Sequence, residues 1–277
     1  MRAVDEIHAG EDFYRRTHNQ MPGATSRYVR ANPLPDGRSS YQFLADQVPD
    51  ARQVLDLGCG DGSLLAVLAR SGATGLAGID LADGELVTAR NRPELAGADL
   101  RQGRAQELPF EDNAFDTVVS HMALMLMADV EQVLAEAARV LKPEGQLAIS
   151  VGLRPAPGSG RALFLKLARP VLFAAVQQQE SMPALGDRRT RTREGLNELV
   201  EAAGFQAVSW TEVSPGTNAT PAQMWQSAVD SYYEVTFVDT RQLQNLREEF
   251  LRQASQLAEE GPLPYGARMA IATTQLG

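Results

Sequence analysis

A short glycine-rich string constrains the fold of this chain more than any other feature. The residues VLDLGCGDG, from Val54 to Gly62, place an apolar strand directly before a turn, and the apolar run SLLAVLAR follows as a helix. Glycine at positions such as Gly58 and Gly60 lets the backbone approach a ligand closely, because a side chain there would collide with it. The string therefore predicts the first strand and helix of a parallel sheet, with a ligand at the turn.

The sequence after this string continues to alternate short apolar runs with helical patterns. This alternation predicts an α/β fold with a mostly parallel sheet. The predicted strands are Gln53–Leu57, Gly75–Asp80, Asp99–Gln102, Phe115–Ser120, Gly145–Val151, Gln206–Glu212 and Arg268–Thr274.

Two amphipathic helices carry recognisable end signals. The apolar residues of Val130–Leu141 share one helical face, and Asp129 with Gln132 is spaced as a capping box at its start. A second helix is predicted to begin after Thr192, as its N-cap, and to end at Gly204, where glycine can take the left-handed conformation.

Three segments depart from the alternation. Residues 1–50 precede the first strand and are predicted to form an N-terminal cap segment. Residues 51–277 form the main domain, interrupted by inserts at about 153–193 and 215–261 that are predicted to fold as a helical lid. The apolar run Ala162–Val176 in the first insert is too short to span a bilayer and contains Lys166, Arg169 and Pro170, so we expect a packing or lid helix.

Charge and cysteine content narrow the class of protein. The formal net charge of −9 disfavours nucleic acid as a partner, because an acidic protein repels a polyanion. One cysteine allows no internal disulfide, and the polar N-terminus lacks the apolar core of a signal peptide. We expect a cytoplasmic enzyme with no membrane span and no metal, as a monomer or a homodimer.

The acidic residues near the glycine turn indicate the kind of ligand. Asp80 ends the second predicted strand, 24 residues after Asp56, where a carboxylate can accept hydrogen bonds from ribose hydroxyls. Ser63 replaces the last glycine of the dinucleotide fingerprint, which disfavours NAD. The charges of Asp56 and Asp61 suit a cationic nucleoside such as S-adenosylmethionine.

At this point the chain resembles the class I S-adenosylmethionine-dependent methyltransferases, in the small-molecule branch that includes ubiquinone and sterol methyltransferases. The resemblance rests on four segments between Gln53 and Val151, with a weaker match at AGF near residue 204: DLGCGDG, GID, GRAQELPFEDNAFDTVVS and RVLKPEGQLAIS. It implies a Rossmann-like seven-stranded sheet of order 3-2-1-4-5-7-6, with the last strand antiparallel, and transfer of a methyl group to an O, N or C atom of a small-molecule acceptor.

The resemblance also implies a set of cofactor-binding residues. In the family these positions line the methionine part, the ribose and the adenine, and here they are Asp56, Gly58, Cys59, Gly60, Asp80, Leu81, Ala105, Gln106, Ser120 and His121. One position departs from the family: Arg104 stands where an acidic residue often accepts from the adenine amino group. Gln106 or the backbone is the expected substitute.

Catalytic candidates are few. His121 follows the fourth strand, where open α/β sheets bind ligands, and it could activate an acceptor, although a lone histidine is more often structural or merely near the cofactor. His18 and Tyr14 belong to the N-terminal segment, which folds over the site in related enzymes. Tyr28 is a similar candidate. Cys59 is expected to line the turn rather than act as a nucleophile.

Several alternatives stay open at this stage. Methionines between 122 and 127 can form either an acceptor wall or ordinary core, and the basic string RRTRTR is either a solvated surface or a site for an acidic acceptor. A protein of this fold can also catalyse a reaction without methyl transfer, such as a cyclisation, or serve as a non-catalytic cofactor-binding partner. The acceptor itself is not indicated.

Overall fold

The computed structural model describes residues 2–177, 186–216 and 219–277, so parts of both predicted inserts, residues 178–185 and 217–218, lie outside the described residues. Strands and helices alternate through the central part of the chain, as predicted for an α/β fold. The elements are α1 (Arg2–Gln20), α2 (Ala24–Ala31), α3 (Ser40–Ala45), β1 (Gln53–Leu57), α4 (Ser63–Arg70), β2 (Gly75–Asp80), α5 (Asp83–Arg90), β3 (Asp99–Gln102), β4 (Phe115–His121), α6 (Val130–Val140), β5 (Leu141–Gly152), α7 (Gly160–Gln177), α8 (Arg193–Ala202), β6 (Ser209–Val213), α9 (Pro221–Val229), α10 (Thr240–Glu260) and β7 (Met269–Gln275).

The strands form one seven-stranded sheet of order β3-β2-β1-β4-β5-β7-β6. Neighbouring strands from β3 to β5 are parallel, and β7 runs antiparallel to both β5 and β6. This confirms the predicted Rossmann-like fold. The strand order reverses between β1 and β4, and such a reversal opens a crevice at the carboxyl ends of the strands, where ligands bind.

Both faces of the sheet are covered, which explains why the middles of its central strands, such as Val54–Leu55 and Val118–Val119, are apolar on both sides. One core contains side chains of α6 and α8, such as Leu134 and Leu196, packed against Leu55 and Val118 of the sheet. The other face packs Val54 against α3 and α4. A strand buried on both sides has no polar face, so it appears in the sequence as a continuous apolar run.

The fifth strand departs from its prediction. It begins at Leu141, before the predicted Gly145, and its pairing with β4 shifts: Phe115 pairs with Leu141, whereas Thr117 pairs with Gln146. Residues 142–145, the string KPEG, therefore bulge out of the ladder, with Glu144 in the left-handed region at φ 63°.

One of the two predicted caps was wrong. Asp129 adopts a left-handed conformation (φ 46°) and its side chain makes no capping hydrogen bond, while the Gln132 amide donates to the Gln106 carbonyl oxygen at 3.3 Å. Tertiary contact with the loop after β3 therefore replaces the capping box. The other cap is as predicted: the Thr192 hydroxyl accepts from the Gly195 amide, and Gly204 has φ 91°.

The helices from the two inserts pack against each other. Residues of α7, α9 and α10 form a hydrophobic cluster of their own, in which Phe164, Trp225 and Phe250 are in mutual ring contact with centroids 5.6–6.2 Å apart. The predicted helix at Ala162–Val176 is part of α7. Among the described helices, none combines the length and the apolar character that crossing a bilayer requires.

Candidate functional site

A cavity lies at the carboxyl ends of β1, β2 and β4, beside the point where the strand order reverses. The glycine turn after β1 forms its floor, and α1, α2 and the segment around Tyr233 close over it. Eleven of the residues singled out in the sequence line this one cavity: Tyr14, His18, Asp56, Gly58, Cys59, Gly60, Asp80, Leu81, Ala105, Gln106 and His121.

Ser120 and Tyr28 are not among the lining residues. The Ser120 side chain is fully buried, and its hydroxyl donates to the Leu57 carbonyl oxygen at 3.0 Å and accepts from the Leu124 amide at 3.2 Å. Ser120 therefore ties β4 to β1 inside the protein. Tyr28 faces α7 instead, where its hydroxyl accepts from Arg161 at 3.3 Å.

The glycine turn has the backbone that its sequence predicts. Gly58 has φ 71°, and a Cβ atom there would lie 2.5 Å from the Cβ of Ala123, closer than two carbon atoms can approach. At Gly60 (φ 52°) a Cβ would meet nothing nearer than 4.0 Å, because that side faces the cavity. The Asp80 carboxylate fixes the turn by accepting from the Gly60 amide at 2.8 Å and from the Ala82 amide at 2.9 Å.

Two carboxyl groups that line the cavity, those of Asp56 and Asp80, form no ion pair with any residue that the structure describes. Burial raises the pKa of Asp56 well above its usual value, and the nearby carboxylates of Asp80 and Asp61 raise it further. Burial also raises the pKa of Asp80, against the hydrogen bonds from Ala82 and Gly60. A carboxylate in this setting is costly unless a cation or a hydrogen-bond donor reaches it.

Asp61 is different from its neighbour. It accepts from Nη2 of Arg92 and from the hydroxyl of Ser26, each at 2.6 Å. Burial alone would raise the pKa of Asp61, but the hydrogen bonds from Ser26 and Ser63 together with Arg92 lower it. The charge of Asp61 is thus already neutralised within the protein. Of the two aspartates predicted to attract a cationic ligand, Asp56 is therefore the one that remains available.

Three buried polar atoms have no hydrogen-bond partner in the part of the chain that the structure describes. They are the Tyr14 hydroxyl, Oδ1 of Asp56 and Nδ1 of His121. All three residues line the same cavity. Buried polar atoms are almost always paired, so three exceptions around one space indicate that a polar ligand completes them.

The two histidines of the site are held differently. Nε2 of His121 lies 2.9 Å from the Ser40 hydroxyl, and its ring packs against Tyr41 with centroids 4.4 Å apart. Burial lowers the pKa of His121 to about 3, so its imidazole is neutral at physiological pH.

His18 joins three parts of the chain. Its Nδ1 lies 2.9 Å from Oε1 of Glu85 on α5, and its Nε2 lies 2.9 Å from the Tyr233 hydroxyl. A carboxylate only accepts hydrogen bonds, so Nδ1 carries a proton. In the tautomer with its proton on Nδ1, the Nε2 lone pair accepts from the Tyr233 hydroxyl. Glu85 is buried, and its other oxygen accepts from the Gly23 amide at 2.8 Å.

Several residues that line the cavity were not predicted from the sequence, notably Glu11, Glu85 and Tyr233. A signal existed for the first of these: Glu11, Tyr14 and His18 are spaced i, i+3 and i+7, so they share one face of α1. Tyr233 lies far away in sequence, and tertiary contacts bring it to the site: its ring packs against Tyr14, with centroids 5.2 Å apart, and its hydroxyl bonds His18.

Comparison with known proteins indicates the family of this chain. A family model described as a methyltransferase domain matches residues 55–149. A demethylmenaquinone methyltransferase of Tropheryma whipplei is 32% identical over 182 residues, which span 62% of this chain and 74% of the relative.

Two solved structures extend the comparison of the fold. Phosphoethanolamine N-methyltransferase 2 of Haemonchus contortus, in complex with phosphomonomethylethanolamine and S-adenosylhomocysteine, superposes with a TM-score of 0.57 at 16% identity, over 96% of this chain and 59% of that one. The [4+2]-cyclase SpnF has a TM-score of 0.52 at 22% identity, over 84% of this chain and 80% of that one.

Proposed function

The chain belongs to the class I S-adenosylmethionine-dependent methyltransferases that act on small molecules, and on that premise we propose how its own residues bind the cofactor and promote methyl transfer. The observation that carries the proposal is the group of three unpartnered buried atoms, from Tyr14, Asp56 and His121, around one cavity.

The floor of the cavity fits the cofactor. S-adenosylmethionine carries an ammonium and a sulfonium group, and Asp56 offers a buried carboxylate oxygen that no described residue pairs with. We assign the ammonium to Asp56 and the ribose hydroxyls to Asp80, whose two oxygens each bond one amide and keep a further lone pair. The open side of Gly60 leaves room for the methionine chain.

The cofactor supplies an activated methyl group that an acceptor attacks directly. The protein must therefore orient the acceptor and keep water out. We propose that α1 and the segment at Tyr233 do this as a lid, supported by the helices of the two inserts. Met122, Leu126 and Met127 form an apolar wall of the cavity, which suits an acceptor with an apolar body.

A proton must leave the acceptor when the attacking atom is a hydroxyl oxygen. His18 is better placed for this than His121, because Glu85 stabilises a positive charge on its imidazole. We propose that Tyr233 receives the proton from the acceptor as it passes its own to Nε2 of His18. Tyr14 would instead hold the acceptor through its hydroxyl.

Demethylmenaquinone is the first acceptor to test, because the relative from Tropheryma whipplei carries that name. About a third of this chain lies outside the alignment, so a panel of other phenols, quinols and amines belongs in the same screen. We place the reaction in the cytoplasm, for which the single cysteine is the supporting observation.

Titration of the purified chain with S-adenosylhomocysteine tests the proposal. We expect micromolar binding by the wild type, severe weakening in Asp80→Ala, and no change in Asp83→Asn, which alters an exposed carboxylate three residues later. Absence of binding by a well-folded wild type would overturn the proposal. Binding without methyl transfer to any acceptor in the panel would favour a role without transfer.

A further inference from the structure

A carboxylate from α1 reaches the end of the cavity that adjoins the loop after β3. Oε1 of Glu11 accepts from Nε and Nη2 of Arg104, at 3.1 and 2.8 Å, and from Nε2 of Gln106 at 3.2 Å. The Glu11 side chain is 14% exposed and lines the cavity. Since these donors all meet one oxygen, and no described residue donates to Oε2, the second oxygen is left for a donor in the cavity.

The order of strands determines which part of a nucleoside cofactor arrives there. The glycine turn follows β1, Asp80 ends β2, and Arg104 and Gln106 follow β3, with β2 lying between the other two strands. If the methionine part lies on the turn and the ribose on Asp80, the base extends toward the end of β3. That is the position of Glu11.

We infer that Glu11 is the residue that recognises the 6-amino group of the adenine, delivered to the site by the N-terminal helix and positioned by Arg104. This inference rests on the proposed cofactor site. It also assigns a role to Arg104, which stands where the family that this chain resembles often has an acidic residue. Here the arginine is not the acceptor itself but holds a carboxylate from another part of the chain.

The Glu11 carboxylate should make the site select between purine bases by the hydrogen-bonding group at C6. Adenine presents an amino donor at C6, and a carboxylate only accepts, so the two are complementary. Hypoxanthine presents a carbonyl oxygen at the same position, and two acceptors would face each other. The site should therefore prefer an adenosine-based cofactor over the inosine-based one.

Substitution of Glu11 by glutamine should reverse this preference. Arg104 and the Gln106 amide group are donors, so they would orient the oxygen of the new side-chain amide toward themselves. Its NH2 group would then face the cavity, opposite the adenine amino group but well placed for the oxygen of hypoxanthine. A residue that merely docks α1 would weaken both ligands alike.

The test is calorimetric titration of the full chain with S-adenosylhomocysteine and with S-inosylhomocysteine. We expect the wild type to bind the adenosine compound roughly 10- to 100-fold more tightly, as for loss of a hydrogen bond to a charged group. Glu11→Gln should shift the ratio of the two affinities by at least about tenfold toward the inosine compound, and Glu11→Ala should bring it close to one. Glu107→Gln, which removes an exposed charge next to Gln106, should behave as the wild type.

The outcomes separate this inference from the proposed function. Failure of the wild type to bind either compound would overturn the cofactor site as a whole. Tight binding of S-adenosylhomocysteine with an unchanged affinity ratio in both Glu11 variants would overturn only the role of Glu11. Thermal unfolding of each variant establishes whether it is folded. If Glu11→Gln does not fold, the affinity ratio of Glu11→Ala tests the role of Glu11.

Discussion

Substitution of Asp56 by asparagine should stabilise the free protein and weaken cofactor binding at the same time. Asp56 is 1% exposed, one of its oxygens has no partner among the described residues, and Asp80 and Asp61 repel its charge. Asparagine has the same shape but no charge. Removal of an uncompensated buried group of this kind is worth about 1–3 kcal/mol in the free energy of unfolding.

The stability gained by Asp56→Asn should depend on pH. The pKa of Asp56 in the folded protein is raised above its usual value of 3.8, so the folded state binds this proton more tightly than the unfolded state. The folded wild type is therefore penalised as the pH rises through that pKa. We expect Asp56→Asn to gain most at pH 7 to 8 and to converge with the wild type as the pH falls below the usual aspartate pKa.

Thermal unfolding followed by circular dichroism measures this gain in stability. At roughly 2–4 °C per kcal/mol, the gain amounts to a rise in Tm of several degrees. Asp61→Asn is the matched control, because Asp61 is paired with Arg92 and Ser26 and its loss should lower Tm. Saturating S-adenosylhomocysteine should raise Tm less in Asp56→Asn than in the wild type. A Tm for Asp56→Asn at or below that of the wild type at pH 7.5 would refute the reasoning.

Three further predictions concern the turn, His121 and the insert helices. Gly58→Ala places a Cβ 2.5 Å from the Ala123 Cβ, so calorimetry should detect little or no S-adenosylhomocysteine binding; wild-type affinity would contradict the described turn. His121 should show no imidazole titration by NMR between pH 5 and 8, because burial lowers its pKa to about 3, and a midpoint near 6.5 would show that the ring is open to water. Phe250→Ala should lower the free energy of unfolding by about 3–5 kcal/mol in denaturant titration, since Phe250 is fully buried against Phe164 and Trp225; a loss below about 1 kcal/mol would mean that the insert helices do not share a core.

Much of the fold follows from local patterns. The strands β1, β2 and β3 have the predicted bounds. β1 and β2 are short, mostly apolar runs, whereas β3 is the more polar DLRQ and is followed directly by Gly103. The structure departs from the prediction at β5 and at Asp129. Residues 142–145 of β5 bulge out of its pairing with β4, and the side-chain amide of Gln132 donates to the Gln106 carbonyl oxygen instead of completing a capping box.

The sequence by itself determined the α/β class, the glycine turn and the position of Asp80, because a strand, a turn and a helix that follow each other directly carry their geometry in local order. It could not pair Glu11 with Arg104, or Glu85 with His18 and Tyr233. Those groups are 93, 67 and 215 residues apart, and their contact depends on how α1 and the inserts pack over the sheet. Tertiary packing also decided that Asp61 is paired with Arg92, whereas Oδ1 of Asp56, five residues earlier, is buried and has no partner among the described residues.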